Sequence, residues 1–128
     1  MGLRTPTPAA QLLAWYWSAL KGEQPPIHDA DPQVGWFKVR LVARGPFVPA
    51  KIWVHRDIDP LTGELTDDER YLCEIDGERR DPFREWVWLA KNPIPRAEYE
   101  ELCDLRAKVE DMAATRIPFD LTRNVVRP

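Results

Sequence analysis

The sequence predicts an α+β domain in which a small antiparallel sheet is packed by an N-terminal helix and flanked by a long C-terminal helix. Apolar and polar residues alternate in the middle of the chain, which is typical of half-buried strands. Near both ends, apolar residues recur at helical spacing instead. The chain of 128 residues has the size of one domain, so we expect residues 1–128 to form a single domain. The sheet is expected to be partly curled, toward an SH3-like barrel.

The helices are predicted from residues that typically begin them and from an apolar stripe. Thr7 precedes Pro8 and Asp81 precedes Pro82, so in both places a capping side chain is followed by the proline favoured in a first helical turn. The longest helix carries the stripe Tyr99, Leu102, Leu105 or Arg106, Val109 and Met112. The predicted helices cover residues 8–21, 82–91 and 96–114. Residues 1–6 are expected to be frayed, 23–33 to form a loop and 116–128 to form an extended tail.

A sheet of three or more strands is predicted, with strands located over residues 34–43, 50–55 and 71–75. The first two are close in sequence and joined by a turn around Gly45, so an antiparallel hairpin is the simplest pairing. Asp76 and Gly77 are expected to close the third strand. The residues expected in the hydrophobic core are Leu12, Leu13, Trp15, Phe37, Val39, Leu41, Ile52, Val54, Leu72, Phe83, Trp86, Leu89, Tyr99, Leu102 and Val109.

Charge is segregated along the chain. Residues 33–56 contain five basic residues and no acidic one, whereas residues 57–81 contain ten acidic and three basic residues. If the first two strands pair, one sheet face combines aromatic and basic side chains, namely Trp36, Lys38, Arg40, Lys51, Trp53 and His55. Such faces bind single-stranded nucleic acid, because cations follow the phosphates and rings stack on the bases. A protein-binding face is an alternative, and cross-strand ion pairs with the acidic segment are the most ordinary explanation.

Several functions are excluded or disfavoured by composition and spacing. The net charge of −3 argues against a general attraction of the whole molecule to nucleic acid or anionic lipid. His28, His55, Cys73 and Cys103 do not occur at zinc-site spacing, and no glycine-rich phosphate-binding loop is present. We therefore expect no catalytic residue, no metal site and no cofactor, and an enzyme with an unrecognised carboxylate pair ranks last. No secretory signal and no bilayer-spanning apolar run is recognised, so a cytoplasmic protein with free cysteines is expected.

The strand and turn motifs resemble those of a known group of proteins. The motifs are GWFKVR at residues 35–40, GPFVPAKIW at 45–53, DPLTGEL at 59–65, IDG at 75–77, DPF at 81–83, NPIP at 92–95 and EY at 98–99. In these segments the chain resembles small uncharacterised proteins encoded by tailed phages and prophages of proteobacteria. The resemblance covers roughly residues 23–102. It implies a phage origin and action inside the bacterial host cell, and it brings no active-site residues with it.

These observations lead to an expected function. Six tryptophans in a small chain are favourable for protein binding, since tryptophan is enriched at the centres of interfaces. We expect a non-enzymatic phage or prophage accessory protein that acts by binding a phage or host protein, either in virion assembly or against a host or defence protein. The alternative is a module that binds single-stranded nucleic acid through the Trp36, Lys38, Arg40, Lys51, Trp53 and His55 face.

Overall fold

The computed structural model describes residues 5–116 of the chain. Residues 1–4 of the segment predicted to be frayed, and residues 117–128 of the predicted tail, lie outside the described residues. The helices are α1 (Ala9–Leu12), α2 (Ala14–Leu20), α3 (Pro82–Leu89) and α4 (Arg96–Arg116). The strands are β1 (Gly35–Arg40), β2 (Phe47–His55), β3 (Arg70–Ile75) and β4 (Glu78–Arg80). The strands form one open antiparallel sheet in the order β1-β2-β3-β4, which confirms the predicted α+β class.

The first two strands form the predicted hairpin with different bounds. The register pairs Arg40 with Phe47 at the hairpin end, so β1 ends three residues earlier than predicted and β2 begins three residues earlier. Arg44 has a φ of +63° in the connecting turn. The predicted core residue Leu41 therefore lies beyond the strand and is 50% exposed, which makes its placement in the core wrong.

A fourth strand, which the sequence analysis did not locate, forms a tight hairpin with β3. Asp76 and Gly77 both have positive φ, 52° and 84°, as in the type I′ turn that favours two antiparallel strands. The prediction ended the sheet at this turn because Glu78–Arg80 is entirely charged and lacks apolar alternation. The turn is the middle of a hairpin and not the end of the sheet.

The hydrophobic core lies on one side of the sheet, here called the inner face, beneath α2 and α3. Its buried residues are Phe37, Val48, Ala50, Ile52, Cys73, Ile75, Trp86, Leu89 and Ala90. The Trp86 ring centroid lies 5.8 Å from that of Phe37 and 4.9 Å from that of Trp15, both in the edge-on geometry that aromatic pairs prefer. Burial confirms the predicted core positions Phe37, Ile52, Trp86 and Leu89.

Other predicted core residues are less buried. The partly buried ones are Leu12, Leu13, Trp15, Val39, Val54, Leu72, Tyr99 and Leu102. Phe83 and Val109 are 52% and 46% exposed, so the prediction that they lie in the core is wrong. The buried side of α3 contains Pro82, Trp86 and Leu89, and helix geometry places Phe83 at the margin of that side. Val109 lies on α4, which contacts the sheet through other residues.

The predicted helix over residues 8–21 is interrupted, because Leu13 has a φ of −93° and a ψ of 2° and separates α1 from α2. In α2 the buried Tyr16 donates a hydrogen bond from its hydroxyl to the carbonyl oxygen of Ile94. Gly35 permits this close packing, since a Cβ there would lie 2.5 Å from Cδ1 of Tyr16. The contact holds α2 against β1.

The chain after α3 closes the outer edge of β1. Asp81 begins α3 as predicted, with its carboxylate accepting a hydrogen bond of 3.0 Å from the amide of Phe83. Beyond α3, the amide of Lys38 donates to the carbonyl of Asn92 at 3.1 Å, and the amide of Ile94 donates to the carbonyl of Trp36 at 3.0 Å. The segment between the predicted helices over residues 82–91 and 96–114 thus covers a strand edge, and α4 begins directly after it.

Candidate functional site

The side of the sheet opposite the core, here called the outer face, carries all six residues predicted to form the binding surface. Residues directly opposite each other in an antiparallel pair point to the same side. The register pairs Trp36 with Lys51 and Trp53 with Leu72. The outer face contains Trp36, Lys38, Arg40, Phe47, Pro49, Lys51, Trp53, His55, Arg70, Leu72, Glu74 and Arg79. Period-2 alternation therefore brings the predicted residues together.

The long helix α4 crosses the outer face and divides it. One carboxylate oxygen of Glu98 lies 2.9 Å from Nζ of Lys38, and the Arg96 guanidinium lies 5.2 Å from the centroid of the Trp36 ring. Further along, α4 is hydrogen-bonded to the β3–β4 turn. The sequence analysis expected this helix to flank the sheet. The structure instead places it over part of the predicted binding surface, so Trp36 and Lys38 are engaged within the molecule.

On one side of α4, two cations surround the Phe47 ring. Nζ of Lys38 lies 4.7 Å from the ring centroid, and the guanidinium carbon of Arg40 lies 4.3 Å from it. Phe47 was missed because the second strand was predicted to begin at Ala50. Continuing the alternation of Trp53 and Lys51 back along the chain would have placed Phe47 on the outer face.

On the other side of α4, two cations surround the Trp53 ring, a group here called the Trp53 cluster. Nζ of Lys51 lies 5.0 Å from the ring centroid, and the guanidinium carbon of Arg79 lies 5.2 Å from it. Both distances are within the range in which a ring attracts a cation. Arg79 was missed because it lies on the unpredicted strand β4, for which the Asp-Gly turn was the available signal.

Cross-strand ion pairs do not account for the cations of the Trp53 cluster. Lys51 lies directly opposite Glu74, yet across residues 5–112 no carboxylate oxygen is within 4 Å of Nζ of Lys51 or of the Arg79 guanidinium. The close contacts between the basic and acidic segments lie at the end of β2: Nε2 of His55 is 3.3 Å from Asp57, and Arg56 pairs with Glu69 at 3.4 Å just beyond the β2–β3 ladder. His55 therefore belongs to a surface contact at the end of β2, whereas Lys51 and Arg79 both lie directly opposite Glu74 without a direct ion pair to it, which leaves the Trp53 cluster with a cationic excess.

The tryptophans are divided between the core and the surface. Trp86 is fully buried, whereas Trp17 and Trp88 are 46% and 56% exposed. Trp36 and Trp53 on the outer face are partly exposed. The indoles of the outer face are thus accessible in part, as a contact surface requires.

The thiols and other potential ligands are dispersed. Burial raises the pKa of the Cys73 thiol to about 12, so this core residue remains protonated at neutral pH and is a poor nucleophile. Cys103 is a second free cysteine, half-buried on α4. Among the residues that the structure describes, no three His, Cys, Asp or Glu side chains gather as a metal site would require.

No family model, curated protein or solved structure matches this chain. Between residues 5 and 116, no helix combines the length and the apolar character needed to cross a bilayer. The assignment of a function therefore rests on the contacts and charges of the outer face.

Proposed function

We propose that this protein is a non-enzymatic binding protein that recognises an acidic surface of another protein through the Trp53 cluster. The observation that supports this most directly is the pair of cations, Lys51 and Arg79, held 5.0 and 5.2 Å from one indole without an ion-pair partner among the described residues. Side chains held in this way lose less conformational freedom on binding, and tryptophan and arginine are the residues most enriched at interface centres.

A single strand of nucleic acid is a poorer match for the same face. Such a ligand needs a continuous cationic track and free ring faces on which bases stack. Here α4 interrupts the track, and its first half carries Glu98, Glu100, Glu101 and Asp104. In addition, the cations over Trp53 occupy space that a stacked base would need. A compact acidic patch on a folded protein requires neither a track nor a free ring face.

The biological setting belongs to the same proposal. The resemblance of the strand and turn motifs to small tailed-phage and prophage proteins supports an accessory role in the cytoplasm of a bacterial host cell. Either a virion component or a host or defence protein would suit the Trp53 cluster, provided that it presents acidic groups.

The test is quantitative affinity capture from lysate of infected bacterial cells, with the wild type compared with Lys51→Glu/Arg79→Glu. The matched control is Lys21→Glu/Arg84→Glu, which reverses two exposed cations away from the outer face. We expect the wild type and the control to retain the same stoichiometric partner and the Trp53-cluster variant to lose it at least tenfold. Equal capture by both variants would contradict the proposal.

A second measurement addresses the nucleic-acid alternative. Labelled single-stranded DNA and RNA are titrated with the protein at two salt concentrations. Binding that weakens steeply with salt, and that is lost in Lys38→Ala/Arg40→Ala, would favour the nucleic-acid function over protein binding. No binding at low salt is the result that we expect.

A further inference from the structure

One side of α4 presents a stripe of apolar residues to solvent. Leu105, Val109 and Met112 are 55%, 46% and 63% exposed, and Leu102 at the start of the stripe is partly exposed. The four residues, here called the α4 stripe, follow each other at intervals of three, four and three. This is the spacing of the seam through which two helices pair in a coiled coil.

The helix contacts the sheet through a different side. It packs on the sheet through Tyr99, Cys103 and Arg106, which line a small cleft against Pro49 and the β3–β4 turn, and no side chain of residues 96–112 is fully buried. Helix geometry places these three residues about 100° around the axis from the α4 stripe, so the stripe lies beside the sheet contact and is left open. An open groove of about 730 Å³ runs beside Leu102 and Leu105.

The charges along α4 indicate what could cover the stripe. Residues 96–105 carry four acidic side chains and one basic one, whereas residues 106–116 carry three basic and two acidic ones. Two copies paired in parallel would bring the acidic halves together. Two copies paired antiparallel would place the acidic half of each helix against the more basic half of the other, and would also align the helix dipoles favourably.

We infer that the α4 stripe is the contact through which two copies of this chain form an antiparallel, two-fold symmetric dimer. Such an interface uses the same patch on both subunits. With the order of the stripe reversed, Leu105 meets Val109 of the second copy, and Leu102 meets Met112 of the second copy. The 21-residue helix is about 30 Å long. A single helix pair is smaller than the interfaces of obligate dimers, so the dimer forms with rising concentration and dissociates on dilution.

The first test measures the mass of the full chain by light scattering and sedimentation from low micromolar to high micromolar concentration. The stripe variant is Leu105→Glu/Val109→Glu. The matched control is Leu61→Glu, at a loop residue that is 93% exposed. We expect the masses of the wild type and the control to approach twice the monomer value, while the stripe variant stays monomeric with an unchanged circular dichroism spectrum. A wild type that is monomeric throughout, or a dimer that persists in the stripe variant, overturns the inference.

The second test establishes the direction of pairing. Leu105→Cys and Val109→Cys chains, both in a Cys103→Ser background, are oxidised separately and as a mixture. Antiparallel pairing predicts that disulfides form mainly between a Leu105→Cys chain and a Val109→Cys chain. Disulfides that form instead between identical chains, in the samples oxidised separately, would overturn the antiparallel arrangement.

If the wild type is monomeric, peroxide oxidation of Met112 shows whether the α4 stripe is covered within the monomer. Slow oxidation means that other residues of the same chain cover the stripe, and rapid oxidation means that it is open; either result overturns the dimer.

Discussion

Arg106 and Asp76 join α4 to the β3–β4 turn through two hydrogen bonds of 3.0 and 2.8 Å, across thirty residues of sequence. The Asp76 carboxylate raises the pKa of the Arg106 guanidinium, first through hydrogen bonding and then through its charge. The side chains are 29% and 17% exposed, so the pair is partly shielded from water. This contact fixes the position at which α4 crosses the outer face.

Removal of this pair is expected to destabilise the fold. Arg106→Ala should lower the free energy of unfolding by about 1–2 kcal/mol, because a charge-assisted double hydrogen bond is lost. Urea denaturation measures the change, and a double-mutant cycle with Asp76→Asn isolates the pair, since asparagine tolerates the positive φ of the turn. Glu100→Ala is the control, because its pair with Arg96 is 3.4 Å long and well exposed. An equal loss in the control would show that the geometry of the Arg106 pair is unimportant.

The close approach of Gly35 and Tyr16 leads to a second prediction. Gly35→Ala should cost about 1–3 kcal/mol of stability, because its Cβ would lie 2.5 Å from Cδ1 of Tyr16 and force α2 away from β1. Thermal unfolding measures the change. Gly22→Ala is the control for backbone strain alone, since Gly22 has a φ of +83° and open space around it; about 1 kcal/mol is expected there. A neutral Gly35→Ala substitution would contradict the observed packing.

A third prediction concerns alkaline pH. Burial raises the pKa of Cys73 from 9.0 to about 12, so the unfolded chain loses this proton before the folded chain does. The stability contribution of Cys73 is complete below about pH 9 and is lost as pH rises toward the folded value, by up to about 1.4 kcal/mol per pH unit. Denaturation curves between about pH 8 and 10 should show this slope in the wild type and a smaller slope in Cys73→Ala. The range stops near pH 10 because burial also raises the pKa of Tyr16 and Tyr71 above 10.0 in the folded chain, so at higher pH these tyrosines add a slope of the same sign.

A fourth prediction concerns acidic pH. The hydroxyl of Thr7 donates to Glu69 at 2.6 Å and its amide donates at 3.1 Å. The hydroxyl hydrogen bond is the largest cause that lowers the pKa of Glu69 below 4.5. The resulting stability is present above that value and is lost as pH falls below it. Thr7→Val should therefore cost about 1 kcal/mol at neutral pH and less at about pH 3.

The control for that prediction is an exposed hydrogen bond of similar length. Ser18 donates to Glu23 at 2.7 Å in an exposed position, where water replaces the interaction at little cost. Ser18→Ala should change stability by only a few tenths of a kcal/mol at either pH. If Thr7→Val behaves in the same way, the Thr7 contact does not anchor the start of the chain.

The outer face could be predicted from the sequence to the extent that it depends on alternation. A period of two assigns Trp36, Lys38, Lys51 and Trp53 to one side of a hairpin whatever the strand bounds are. Those bounds depend on pairing, and so Phe47 was missed. Arg79 was missed because β4 has no apolar residue to mark it as a strand. The type I′ turn before it could have been recognised from the sequence Asp76-Gly77.

The position of α4 could not be predicted, because an apolar stripe normally marks the side of a helix that faces its own core. Here the sheet contacts use Tyr99, Cys103 and Arg106, which line a small cleft against Pro49 and the β3–β4 turn. That arrangement depends on tertiary contacts of the outer face. Composition and periodicity along α4 do not contain this information.

The two edges of the sheet also determine how the chain behaves at high concentration. Exposed strand edges are the usual templates for intermolecular β-pairing and fibril growth. The edge of β1 is closed by residues 92–94, and the edge formed by β4 is three residues long and fully charged. These features protect both edges against edge-to-edge aggregation except along residues 70–72 of β3, which β4 does not pair with, so amyloid-type assembly through the two protected edges is not expected.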